Sequence, residues 1–264
     1  MLALLEAYAH DGGPRWAGGA LAGARGLLAA MTEADDHSLY FGLTGVAVAL
    51  DAVGERLDDP TSRTAARRCL DRVRGAFDGE RWGDAFDLMG GNAGVAVGAL
   101  ALGDADLAVL AVEPYRHTVE RTPYGVTWEN RRGQPARRHH VSHGTLGIAQ
   151  GLAAVAAATG RSDLRDLALA AVADVVARDE SDGPGFLVPH SDPQQLPERI
   201  ERFSHGWCHG PAGDAQVFRA LRDLTGDDGW GLLVDRCWTT VVGSGLPERR
   251  RPGFWDNNGR CCGT

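Results

Sequence analysis

One short pattern recurs along this 264-residue chain: a glycine, two residues, a second glycine, then a run of small apolar residues. It occurs as Gly42-Leu43-Thr44-Gly45, Gly91-Asn92-Ala93-Gly94, Gly144-Thr145-Leu146-Gly147 and Gly210-Pro211-Ala212-Gly213, and a fifth copy opens at Gly263-Thr264. The first glycines fall at 42, 91, 144, 210 and 263, so the intervals are 49, 53, 66 and 53 residues. Self-similarity at a period of about 50 residues marks a repeat architecture, in which each copy buries its apolar face against its neighbours. Glycine is correspondingly frequent, at 36 residues, roughly twice ordinary usage.

Each repeat reads as two helices. The first follows the second glycine and is rich in small apolar residues: Val46 to Val53, Val95 to Leu102, Ile148 to Ala158 and Val217 to Leu224. The first three are apolar on most faces and are expected to be buried all round, whereas the fourth is mixed. A more charged helix with one apolar stripe comes next. Ala66, Leu70, Val73 and Phe77 form one such stripe, and Leu164, Leu167, Ala171 and Val175 a second, with Ser162 as the expected N-cap. Trp230, Leu233, Val234, Cys237 and Val241 form a third. Buried inner helices and half-buried outer ones describe concentric layers, so the expected fold is an all-α α/α barrel or an α-solenoid, in one domain over residues 1–264. The glycines would let backbones converge and permit turns with positive φ, with helix N-termini aimed at one rim.

Composition narrows the function. Hydrophobic residues make up 44% and charged residues 23%, which excludes wholesale disorder. A formal charge of −8 argues against a general nucleic-acid binder. There is no apolar run of transmembrane length and no basic segment leading into an apolar one near Met1, so a cytoplasmic location without a membrane span is expected. All 27 basic residues are arginine, which excludes Schiff-base and P-loop lysine chemistry. The cysteines are Cys69, Cys208, Cys237, Cys261 and Cys262; an odd number with one adjacent pair fits free thiols better than a disulfide framework.

Two stretches break the repeat. Residues 122–142 hold Tyr124-Gly125-Val126-Thr127-Trp128, a candidate hairpin strand, and then Arg131, Arg132, Arg137, Arg138, His139 and His140. The arginines read as a solvated charge run, with contact to a peptide as the alternative. Residues 179–206 carry Pro184, Pro189, Pro193 and Pro197 and read as a long loop, a length often tied to function.

The repeat starts differ in their polar residues. The second has Asp87, the third Ser142-His143, the fourth Trp207-Cys208-His209 and the fifth Arg260-Cys261-Cys262. If the turns share one rim, Asp, His and Cys side chains converge there. Cys208, Cys261 and Cys262 then form a three-thiolate set suited to Zn²⁺, with a fourth position open and His209 as a nearby substitute. The rival reading is buried cysteine beside glycine; Cys69 and Cys237 lie in the outer-helix patterns and read as core or surface residues.

Four ordered motifs resemble those of lanthionine synthetase C-like (LanC-like) cyclases. Trp207-Cys208-His209-Gly210-Pro211-Ala212-Gly213 is similar to the family's Trp-Cys-x-Gly-x-x-Gly motif, and Arg260-Cys261-Cys262-Gly263-Thr264 to its second zinc motif. Ser142-His143-Gly144 resembles its Ser-His-Gly motif, and Asp87 to Gly94 its Asp-x-x-x-Gly-x-x-Gly turn. The resemblance implies an α/α toroid of about seven hairpins, a bound Zn²⁺ and thioether ring formation in a dehydrated peptide. It implies Cys208, Cys261 and Cys262 as zinc ligands, Cys262 standing where many members have His. It implies His143 as the acid/base group, assisted by Asp87, with His209 where the family has Tyr or His. The implied partners are a dehydrated lanthipeptide precursor and a dehydratase. Because the sequence stops inside the fifth motif, about five of the seven hairpins are expected.

The implied chemistry is coherent. A free cysteine thiol has a pKa of about 8.5, and coordination to Zn²⁺ deprotonates it. The thiolate adds to the β-carbon of dehydroalanine or dehydrobutyrine, and an acid must then protonate the α-carbon. Three rivals remain at this level: a non-catalytic remnant or peptide-binding scaffold, a zinc-dependent thiol transferase using the same site, and an α/α-barrel glycan-processing enzyme. The last requires two inward carboxylates, and Asp87 has no convincing partner at a repeat start.

Overall fold

A computed structural model describes residues 1–198 and 200–245. Among these residues ten α-helices pack in consecutive pairs: α1 (Leu2–Asp11) with α2 (Pro14–Ala30), α3 (Leu43–Arg56) with α4 (Pro60–Gly75), α5 (Asn92–Ala101) with α6 (Ala105–Val112), α7 (Thr145–Thr159) with α8 (Ser162–Val176), and α9 (Pro211–Thr225) with α10 (Gly229–Gly243). Helices α3, α5, α7 and α9 pack side by side in chain order and form the inner layer; each outer helix covers its own inner partner. The pair α1–α2, which carries no glycine motif, packs on α3.

The layers follow the expected burial with one correction. On α7 the run Leu146, Gly147, Ile148, Ala149 and Gly151 to Ala153 is buried around the helix, and α5 is buried from Asn92 to Ala96. Outer helix α10 buries only Cys237. Helix α3 is not buried all round: Val46, Val48 and Ala49 are half-buried. It has an inner helix, α5, on one flank only, and α1 and α2 on the other.

The glycines are needed for a different reason from positive φ. The first glycine of each motif has extended backbone, with φ of −133°, −131°, −127° and −165° at Gly42, Gly91, Gly144 and Gly210. What excludes a side chain is space. A Cβ on Gly45, Gly94, Gly147 or Gly213 would lie 2.0, 2.1, 2.0 or 2.0 Å from the carbonyl oxygen of Leu39, Leu88, Val141 or Trp207, the residue six positions earlier. Each turn therefore folds its own carbonyl onto the first turn of the inner helix. The turns are also stitched in series. Tyr40 N–H donates to the Met89 carbonyl, Met89 N–H to Ser142 and Ser142 N–H to Cys208, each at 3.2 Å.

Helix ends otherwise follow ordinary capping. Asp59 and Asp104 accept from Ser62 and Leu107 backbone N–H groups at the starts of α4 and α6. Gly160 and Gly226 close α7 and α9 in left-handed conformation, at φ 71° and 69°. Ser162 is not the cap of α8; Arg161 holds that place and makes no side-chain cap bond.

Among the described residues the irregular segments carry four two-residue strands. β1 (Glu120–Arg121) pairs antiparallel with β2 (Val126–Thr127), so the hairpin read around Tyr124 exists, but with its strand confined to Val126–Thr127. Trp128 leaves that strand fully buried and donates its indole N–H to the Tyr115 carbonyl at 2.9 Å. β3 (Arg137–Arg138) pairs with β4 (Ser191–Asp192), which ties the first irregular segment to the long proline-containing loop. Among the described residues no helix is long and apolar enough to cross a membrane.

Candidate active site

The stitched turns set the site. Asp87 is buried in the second turn, and its Oδ1 accepts from the Gly90 N–H at 2.7 Å. Its other oxygen, Oδ2, lies 2.9 Å from Nδ1 of His143 in the third turn. An ionised Asp87 can only accept, so Nδ1 carries the proton and Nε2 is left for a reactant. The His143 side chain is 28% exposed, against 4% for Asp87, so the imidazole is presented and its orienting carboxylate is not.

The fourth turn lies beside the third. The Ser142 hydroxyl donates to the Cys208 carbonyl at 2.7 Å, reinforcing the backbone bond between the same residues. Cys208 is 6% exposed and is not among the free thiols. His209 stacks on His143 with ring centroids 5.7 Å apart, and His190 stacks on His209 at 4.7 Å. Burial, reinforced by neighbouring histidines, lowers the pKa of His209 to about 2 and of His190 to about 4. His143, partly exposed and paired with Asp87, is the presented imidazole.

Beneath this layer sits a second imidazole–carboxyl pair. His140 Nδ1 lies 2.8 Å from Asp214 Oδ2, and both side chains are 1% exposed. His140 Nε2 donates to the Val188 carbonyl at 3.2 Å. The pair thus joins the His143 turn, the base of α9 and the proline-containing loop.

Two openings meet at His143. A groove of about 500 Å³ is walled by Asp35, Asp36, Phe41, Trp82, Asp84 and Asp87, with Arg131 and Arg138 entering it. A smaller cavity of about 140 Å³ is lined by His190, His209 and Gln195, among others. Arg138 and His143 line both.

Of the residues singled out in the sequence, Asp87, His143, Cys208 and His209 come together on one rim. Cys261 and Cys262 lie outside the described residues. Among the described residues no group of three or more His, Cys, Asp or Glu side chains could hold a metal ion. Of the two alternatives for Cys69 and Cys237, core and surface, the structure shows the core, and burial pushes both thiols up in pKa.

Sequence reading names Arg138 and His140 only as members of a basic cluster, and it does not single out His190 or Asp214. The arginines do not form one solvated run. Arg137 makes two bonds to Glu120, at 2.7 and 2.6 Å, while Arg138 turns into the groove. Neighbours in a strand point to opposite faces, so an Arg-Arg pair in extended chain carried a signal that one of them faces inward.

Comparison with known proteins matches the sequence to one family model. The family model for lanthionine synthetase C-like proteins matches residues 1–196 and 193–264. The chain belongs to that family. Its fold is similar to that of a solved structure titled nisin cyclase, with a TM-score of 0.70 and 16% identity over 96% of this chain and 68% of that one. The ten helices fit an incomplete α/α toroid of that LanC-like kind. No curated protein sequence matches the chain.

Proposed function

We propose that this chain is a zinc-dependent peptide cyclase that forms lanthionine or methyllanthionine bridges in a ribosomal precursor already dehydrated by a partner enzyme. The observation that carries the reading is the His143–Asp87 pair, open to a groove and hydrogen-bonded through Ser142 to the Cys208 turn. Cys208, Cys261 and Cys262 would hold Zn²⁺, and a thiolate-rich donor set suits that ion. Bound there, Zn²⁺ would supply acidification of the substrate thiol.

The protein's own residues account for proton movement. Nε2 of His143 takes the proton from the cysteine thiol. Sulfur bonds to the β-carbon of the dehydroamino acid, and the C=C pair moves toward the carbonyl oxygen to give an enolate. His143 then returns the proton to the α-carbon, so the net change is addition of S–H across the double bond. Asp87 fixes the tautomer and stabilises the charged imidazole between the two transfers. The groove, with exposed Phe41 at its edge, accepts an extended peptide.

The test is thiol consumption and ring mapping on a dehydrated Cys-containing peptide, alongside elemental analysis. His143→Ala should keep zinc and slow ring closure by about 10²- to 10⁴-fold. Cys208→Ala should remove zinc. Unchanged ring closure in the first variant would take His143 out of the mechanism, and unchanged zinc in the second would overturn the ligand assignment. A chain that binds peptide and leaves every thiol free would be a scaffold instead.

A further inference from the structure

Arg138 has an unusual set of neighbours for a half-buried guanidinium. Among the described residues it forms no ion pair. Nε donates to the Gln195 side-chain oxygen at 3.1 Å and Nη2 to that of Gln134 at 3.3 Å, so both partners are neutral amides. A guanidinium has five N–H donors in a planar fork, and most of these remain uncommitted. Asp87 shares the groove, but its two oxygens already accept from His143 and Gly90. The adjacent Arg137, by contrast, donates through Nε and Nη2 to the Glu120 carboxylate and through Nη1 to the Gln134 and Pro135 carbonyls.

Position gives this uncommitted charge a use. Arg138 and His143 are the two residues shared by the groove and the smaller cavity, so they face whatever occupies the junction. β3 pairs with β4 and fixes the backbone of Arg138, and the Asn130 side chain accepts from its N–H at 2.6 Å. A fixed cation beside a proton-transferring imidazole is the arrangement required where a carbonyl becomes an enolate, because charge develops on oxygen while carbon awaits its proton.

We propose that Arg138 is a catalytic residue whose guanidinium takes the carbonyl oxygen of the dehydroamino acid and stabilises the negative charge that builds there as sulfur adds. This rests on the cyclase reading. Electrons from the C=C bond settle on that oxygen, Arg138 holds them there without giving up a proton, and His143 delivers the proton to the α-carbon as the carbonyl re-forms.

The probe is a short peptide carrying a phosphonate monoester, whose P–O⁻ stands where the enolate oxygen would, compared with its neutral carboxamide counterpart. The full chain should bind the phosphonate at least about tenfold more tightly, Arg138→Gln should reduce that preference to within about twofold, and Arg138→Lys should keep part of it. Arg165→Gln, which removes an exposed arginine of α8 outside both openings, should leave the preference intact. Full preference in Arg138→Gln overturns the assignment. In ring closure, Arg138→Gln should lower kcat by about 10²-fold with KM within about threefold; a raised KM at unchanged kcat would show ground-state anchoring and equally overturn it. A chain that closes no ring yet shows the Arg138-dependent preference counts against the cyclase reading and for the oxyanion site.

Discussion

At Gly45, Gly94, Gly147 and Gly213 the chain builds one turn four times, while residues 113–138 and 177–203 repeat nothing; both kinds of region reach the same rim. The turns place a carbonyl about 2 Å from where a Cβ would stand and hand one backbone bond to the next turn. That geometry is indifferent to the side chains it displays: Tyr40, Met89, Ser142-His143 and Cys208-His209 occupy equivalent places. The irregular segments add what the repeat cannot supply, namely a cation from β3 and a histidine, His190, stacked behind the displayed ones. A constant scaffold with variable display separates the position of the site from its chemistry.

The largest effect tests the joint between the two kinds of region. His140→Phe strands Asp214, which is fully buried and whose Oδ1 has no hydrogen-bond partner among the described residues. The expected cost is about 3–5 kcal/mol in urea unfolding. The double variant His140→Phe with Asp214→Leu should recover much of it, since apolar replacement of both partners avoids a stranded carboxyl. A single variant as stable as the parent would mean that the pair does not join the segments.

Next comes the repeat geometry itself. Gly147→Ala sets a methyl group 2.0 Å from the Val141 carbonyl oxygen and 3.0 Å from the Leu88 side chain. Backbone must move, and the expected loss is about 3 kcal/mol, read from the unfolding midpoint. Because Val141 and Ser142 lead into His143, ring closure should fall as well. Stability within about 0.5 kcal/mol of the parent would show that the close approach is not required.

This contrast also explains what the sequence disclosed. The glycine motif recurs because a short carbonyl contact forbids any other residue, so the repeat, its period and the residues beside it are readable directly. Asp87 and His143 are legible for that reason: they sit at fixed offsets from glycines. Arg138 is not, because nothing periodic marks the strand that turns it inward, and in sequence it merges with Arg131, Arg132 and Arg137. His190 lies 50 residues from its neighbour His140, across a loop whose path only the β3–β4 pairing defines. For the glycines the sequence reading offers two causes, converging backbones and positive φ, and at the motif the structure bears out the first and not the second.

A smaller effect separates the segments by pH. His139 in the first irregular segment is 1% exposed, neither ring nitrogen has a hydrogen-bond partner among the described residues, and burial lowers its pKa to about 3. In the unfolded chain it titrates near 6.5. Between these values the unfolded state holds the extra proton, so this contribution to stability is intact above about pH 6.5 and is lost as pH falls toward 3. The expected loss from pH 6 to pH 5 is about 1.4 kcal/mol from this site at most. In His139→Leu the pH slope of the urea midpoint should drop accordingly; an unchanged slope would remove His139 from the acid sensitivity.

The smallest effect completes the comparison among glycines. Gly26 lies within α2, outside the repeat motif, and a Cβ there would meet nothing within 4 Å. It is exposed, and its φ is not in the left-handed region. Alanine should fit without movement and restrict the unfolded chain more than glycine does, for a gain of about 0.4–1 kcal/mol. The same substitution is thus expected to stabilise at position 26 and to destabilise at position 147. Glycine at 26 would be an ordinary helix residue of low propensity, whereas at 147 the neighbouring carbonyl requires it. If Gly26→Ala lowers the unfolding midpoint, then glycine also serves packing outside the motif, and the division between repeated turns and the rest of the chain is less sharp than the contacts imply.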